Sequence, residues 1–167
     1  MTDNNNRHMA FICSKGDLDM VYPALIMGWA ALGNGVDVSI FFTFWGLDMI
    51  RKDRIDHLEI APVANTSMKM SMMGVPGNIG IPQFMGVLPG MTAFATSLMK
   101  SKMAKLDVPC VREYLQMLMD AGGKLYPCKM SCDMFELKKD DFIEGVSDIL
   151  TASDFIELTP GAQVIFI

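Results

Sequence analysis

The chemistry-bearing residues of this chain concentrate in one stretch, Leu125-Tyr126-Pro127-Cys128-Lys129-Met130-Ser131-Cys132-Asp133-Met134-Phe135. Lys124 to Pro127 reads as a short strand, which puts Cys128 at its carboxyl end, where an open α/β sheet gathers ligands and reactive groups. A helix beginning just beyond it would set unpaired N–H groups and a positive dipole end beside the sulfur, favouring thiolate over thiol. Lys129 adds a nearby positive charge. Thiolate is the attacking species in persulfide and disulfide exchange. The same residues also fit a small, inert, half-buried cysteine, because free cysteine is among the most buried residue types.

Three further thiols bear on that choice. Cys132 lies four residues on, over Cys128 on the same helical face, and is a candidate resolving thiol. A helical pair seldom has the bond vectors a disulfide requires, so a core role competes with that reading. Cys13 ends the first apolar run and could approach Cys128 if their strands are neighbours. Cys110 follows Pro109 in the first turn of a predicted helix, where it is either dipole-activated or simply a small, partly buried residue.

Other constellations carry less. The four scattered cysteines, with His57 and His8, form none of the paired spacings of a structural zinc site, so no metal is expected there. Met68-x-Met70-x-Met72 resembles a thioether set for Cu(I), although methionine more often supplies adaptable packing at a core or subunit contact. Asp56-His57 is too isolated for acid–base catalysis. Ser14-Lys15-Gly16-Asp17 has one glycine, not the spaced glycines of a dinucleotide or phosphate loop, and no organic cofactor is expected.

The elements that must position these residues alternate between strand and helix. Met9 to Cys13 is a strand, and Asp17 caps a helix with Leu18, Val21, Tyr22, Leu25, Ile26, Trp29 and Leu32 on its apolar stripe. Val36 to Phe42 has the composition of a strand covered on both faces. Pro109 to Ala121 is a second helix, ended by Gly122-Gly123 and leading into the strand before Cys128. Asp140 or Asp141 caps a further helix through Phe142, Val146 and Ile149, and Gln163 to Ile167 closes the chain as a strand. This is an α/β sandwich with a mainly parallel sheet. Residues 1–8 read as a loose polar tail and residues 9–167 as a single domain. Within it, about residues 53–105 form a Met-rich excursion, irregular from Ser67 to Pro82 and helical from Met91 to Lys105 with Phe94, Leu98 and Met99 on one side.

Of the 167 residues 51% are hydrophobic and 20% charged, too apolar for a disordered chain and apolar enough that some surface is expected to meet another subunit. The balance of 14 Lys+Arg against 19 Asp+Glu gives −5 and supplies no basic field for nucleic acid or anionic lipid. Membrane docking is left only to the Met-rich segment. No signal-peptide pattern precedes Met9, and no run reaches the ~18 apolar residues of a spanning helix, so the expected location is the cytoplasm.

Two stretches carry a family resemblance: Phe41-Phe42-Thr43-Phe44-Trp45-Gly46-Leu47-Asp48, and Tyr126-Pro127-Cys128-Lys129-Met130-Ser131 with Asp133-Met134-Phe135. Ser14-Lys15-Gly16 with Leu18-Asp19, Leu88-Pro89-Gly90-Met91 and Val111 to Tyr114 support it. From Phe11 onward the chain resembles the DsrE-like proteins of sulfur metabolism. The resemblance implies a mainly parallel five-stranded sheet between helices, cytoplasmic sulfur relay between donor and acceptor proteins, and assembly into trimers or hexamers. It gives Cys128 the role of persulfide carrier. Lys129 and the following N–H groups would then steady the anion, and Phe44, Trp45 and Met130 would wall the site, with Cys132 or Cys13 as second thiol. The competing readings are a non-catalytic oligomeric binding or regulatory module, a thiol-redox protein and a Cu(I) protein.

Overall fold

The computed structural model describes residues 7–63, 65, 69, 80 and 82–167. The expected tail, for residues 1–6, and the Met68, Met70 and Met72 set lie outside the described residues. So does the 67–82 stretch apart from Lys69, Gly80 and Pro82; Lys69 and Gly80 meet in an isolated antiparallel bridge. The chain divides into two compact units, Met1–Leu58 with Cys110–Ile167, and Glu59–Pro109.

The first unit is built on a parallel sheet of four strands, β1 (His8–Cys13), β2 (Asp37–Phe42), β3 (Lys124–Pro127) and β4 (Gln163–Phe166), in the order β3-β2-β1-β4. β1 thus opens one residue earlier than the sequence indicates. The expected fifth strand is absent among the described residues. Its place beside β3 is taken by 147–150, which follows β3 through only three bonds: Ser147 N–H to the Leu125 carbonyl (2.9 Å), Leu150 N–H to Pro127 (3.0 Å) and Lys129 N–H to Leu150 (2.8 Å). Gly145, at φ 89°, turns the chain into this short segment, and the cap residue Thr151 turns it out again into a helix, so no longer ladder forms.

Side chains alternate along each strand, and residues paired across a parallel sheet share a face. The register Ile12↔Phe41↔Tyr126 therefore groups Ala10, Ile12, Ser39, Phe41, Tyr126 and Cys128 on one face, and Phe11, Cys13, Ile40, Phe42 and Leu125 on the other. The second face is covered by α1 (Leu18–Gly33) and α3 (Val111–Asp120). Their approach is close: a Cβ on Gly28 would stand 3.3 Å from Leu118, 3.6 Å from Val38 and 3.9 Å from Phe11. That contact centres the buried side of α1 on Val21, Leu25 and Gly28, leaving Ile26 and Trp29 of the expected stripe exposed. The first face is covered by α5 (Ala152–Leu158), whose buried Phe155 stacks on Phe41 with ring centroids 4.6 Å apart.

The helix expected through Phe142, Val146 and Ile149 does not form. A 3-10 turn at Lys139–Asp141 gives way to irregular chain, because Phe142 bridges to Arg51 and Ile143 N–H bonds the Ile50 carbonyl at 2.9 Å. In the second unit, a 3-10 turn at Gln83–Val87 precedes α2 (Met91–Ala104). The Thr96 hydroxyl of α2 accepts the Ile60 N–H at 3.1 Å. Ala95 and Thr96 are its buried residues, and Phe94 is exposed.

Candidate functional site

Three segments meet at the carboxyl end of the sheet: Ser14–Gly16 after β1, a 3-10 turn at Phe44–Met49 after β2, and Cys128 with α4 (Lys129–Met134) after β3. The turn is pinned from both sides. Thr43 N–H donates to the Cys13 carbonyl at 2.9 Å, and a Cβ on Gly46 would stand 2.1 Å from that same oxygen, so only glycine fits. Phe44 sits at φ 47°, a left-handed conformation costing on the order of 1–3 kcal/mol for a residue with a side chain. Ser131 holds it there: its fully buried Oγ accepts the Phe44 N–H at 2.9 Å and lies 3.0 Å from the Thr43 hydroxyl. Ser131→Ala is expected to destabilise by about 1–3 kcal/mol through these lost partners, read as a lower urea midpoint at unchanged slope.

Cys128 stands where the sequence places it, at the β3–α4 junction. Its N–H donates to the Phe42 carbonyl at 2.8 Å, and its carbonyl accepts the Cys132 N–H at 2.9 Å. The side chain is only 4% exposed and packs with Ala10, Phe41, Tyr126 and Phe155, rimmed by Ile12, Leu150 and Ala162. It makes no capping hydrogen bond to the first turn of α4. Lys129 is not aimed at it either, since its ammonium grips both Asp133 carboxylate oxygens at 2.6 and 2.7 Å. Of the anion-steadying groups expected from sequence, the Lys129 ammonium and the Lys129 N–H, which donates to the Leu150 carbonyl at 2.8 Å, are engaged elsewhere. Phe44, Trp45 and Met130 belong to the outer surface, the last two at 63% and 61% exposure, and none joins the cluster around Cys128. Trp45 instead packs on Phe135, with ring centroids 4.9 Å apart.

Cys132 follows Cys128 one helical turn on and is 2% exposed. Burial pushes its thiol up to about 11, helped by the neighbouring Cys128 and Asp133 and opposed by Lys129. Cys13 is separated from this pair. β2 lies between β1 and β3, an offset of about 9–10 Å where a disulfide needs Cα atoms within about 7 Å, and Cys13 faces α1 and α3. At 1% exposure its thiol is pushed up to about 12 by burial alone. Between the ordinary 9.0 and about 12 the unfolded chain sheds a proton that the folded chain keeps, so stability falls as pH rises through that window. Cys13→Ala is expected to flatten the slope in urea titrations across that range. Cys110 is exposed and caps α3, its N–H donating to the Glu113 carboxylate at 3.1 Å.

Residues 5–167 match the DsrE/DsrF/DrsH-like family. The chain belongs to that family. It is 35% identical over 162 residues to the sulfur carrier protein DsrE2 of Allochromatium vinosum, spanning 95% of this chain and 96% of that one. It is 25% identical over 169 residues, the whole of both chains, to the uncharacterized protein YrkE of Bacillus subtilis. Among solved structures it is similar to the protein of unknown function MTH1491 from Methanobacterium thermoautotrophicum. The TM-score is 0.56 at 12% identity, covering 96% of this chain and 99% of that one, which shows a shared fold.

In this DsrE-like chain the strand order reverses between β1 and β4, so the topological switch point lies at Ser14–Gly16, away from Cys128 on the far side of β2. Gly16 abuts the turn after β2, where a Cβ would stand 2.6 Å from the Trp45 carbonyl. Ser131, Gly46 and Gly16 are the positioning residues that sequence reasoning missed as a set. Each lies inside a stretch that carries or supports the family resemblance, but no sequence signal gave any of them a positioning role. Among the described residues no cluster of His, Cys, Asp and Glu is suited to a metal ion, and no helix is long and apolar enough to cross a membrane.

Proposed function

We propose that this chain is a sulfur carrier that holds sulfane sulfur as a persulfide on Cys128 and passes it to a partner thiol. The observation that carries the reading is the place of Cys128 at the β3–α4 junction, in a family member 35% identical to a sulfur carrier protein over nearly its whole length. The Cys128 thiolate attacks the outer sulfur of a donor persulfide. The donor S–S bond breaks, the donor leaves as a thiolate, and Cys128–S–SH forms with no net oxidation. Attack by an acceptor thiolate on the outer sulfur reverses the sequence.

A thiol 4% exposed must be uncovered before it can meet a donor. Donor and acceptor proteins, a cytoplasmic setting and a homo-oligomer of three or six chains complete the proposal. The exposed Trp29, Trp45, Met130 and Phe166 supply apolar surface for such contacts. Incubation with polysulfide, read by intact mass, is expected to add sulfur that a reductant removes. Cys128→Ser is expected to load nothing at that site. Equal loading of Cys128→Ser and the parent overturns the assignment.

A further inference from the structure

At the other end of the sheet, the first residues of three adjacent strands face the same way. His8 opens β1, Asp37 opens β2 and Lys124 opens β3, and all three line a cleft of about 390 Å³ with Ser39. Ser39 is the anomaly that draws attention there. It is 2% exposed in a central strand that is otherwise apolar after Asp37, and its hydroxyl lies 3.0 Å from His8 Nε2. Lys124 pairs in register with Ser39 and has no ion pair among the described residues. Leu158 and Pro160, at the end of α5 and just beyond it, form an apolar wall.

We propose that this cleft binds a small organic monocarboxylate, its carboxylate held by the Lys124 ammonium and the Ser39 hydroxyl and its short apolar body laid against Leu158 and Pro160. The chemistry narrows the class. A lysine and a buried serine from neighbouring strands line the one cleft, and an ammonium and a hydroxyl are the donors an oxyanion takes. The volume falls in the range of small-molecule sites and is far larger than an inorganic ion.

The His8–Ser39 contact has two states, and they differ in what they offer a ligand. With the Ser39 hydroxyl donating to Nε2, only lone pairs face the cleft. With Nε2–H donating to Oγ, the hydroxyl proton is released to the carboxylate, so binding selects His8 protonated at Nε2. The cleft and Cys128 occupy opposite ends of the sheet, and this inference stands or falls independently of the persulfide reading.

The test is a titration of the full chain with acetate, butyrate and hexanoate, and with sulfate as inorganic comparator, followed by ¹⁵N NMR. Saturable shifts at His8, Ser39 and Lys124 are expected, tightening from acetate to hexanoate, with the His8 ring signals moving to the Nε2-protonated form. Lys124→Met, at an exposed position that leaves the fold alone, is expected to weaken hexanoate binding about tenfold or more, and Ser39→Ala comparably. The proposal is overturned if hexanoate produces no saturable shift at the cleft, if Lys124→Met binds it like the parent, or if sulfate binds as tightly as hexanoate.

Discussion

Gly46→Ala is expected to destabilise the first unit by about 3 kcal/mol or more, a loss at the upper end for a single added methyl group. The new Cβ would lie 2.1 Å from the Cys13 carbonyl oxygen, 2.7 Å from its carbon and 3.3 Å from the Ser14 nitrogen. All three are backbone atoms, so no flexible side-chain end can swing aside. The Cys13 carbonyl also accepts the Thr43 N–H, and moving it away would break the bond that starts the turn carrying Phe44 and Trp45. Urea unfolding should show a large fall in midpoint with the slope retained. Gly33→Ala is the matched control, since nothing lies within 4 Å of its Cβ position, and it should be neutral or slightly stabilising. Equal stability of the two variants would mean that the turn is not clamped against β1.

Phe155→Ala should have an effect of similar size with a second, chemical readout. Phe155 is buried, stacked on Phe41 and edge-on to Tyr126 with centroids 6.1 Å apart, in the cluster that encloses Cys128. Truncating a buried phenylalanine costs about 3–5 kcal/mol. It also removes the α5 side of the cover over Cys128, so alkylation of Cys128 should accelerate sharply under native conditions. Cys13, on the opposite face beneath α1 and α3, should stay as slow as in the parent. Accelerated labelling of both thiols would indicate global unfolding, and an unchanged Cys128 rate would show that Phe155 is not its cover.

Local pattern made most of the frame legible. The apolar run of β2, the stripe of α3 through Val111, Tyr114, Leu115 and Leu118, and the Gly122-Gly123 stop each encode their element within a few residues. Cys128 at a strand end was readable for the same reason. α1 was read as a helix with the wrong edge of its apolar face, because a segment apolar nearly all round gives periodicity little to choose between. Gly28, by admitting α3 and the sheet closely, decides the matter.

What sequence could not supply is non-local. Whether Cys13 neighbours Cys128 depends on strand order, and β2 intervenes. The tie from Ser131 to Phe44 spans 87 positions. Lys129 is the opposite case: Asp133, four residues on, is the ordinary helical ion-pair partner, and the pairing that removes Lys129 from the thiol was present in the sequence.

The account turns on which sulfur atom accepts the load, and the most direct measurement is the position of that load in the unmutated chain. After brief polysulfide treatment, persulfides would be trapped with an alkylating agent and the cysteine-bearing peptides mapped by mass. The account predicts the added sulfur on the peptide holding Cys128, with exposed Cys110 modified no faster than a free surface thiol. Sulfur found on Cys110 while the Cys128 peptide stays unmodified would contradict it.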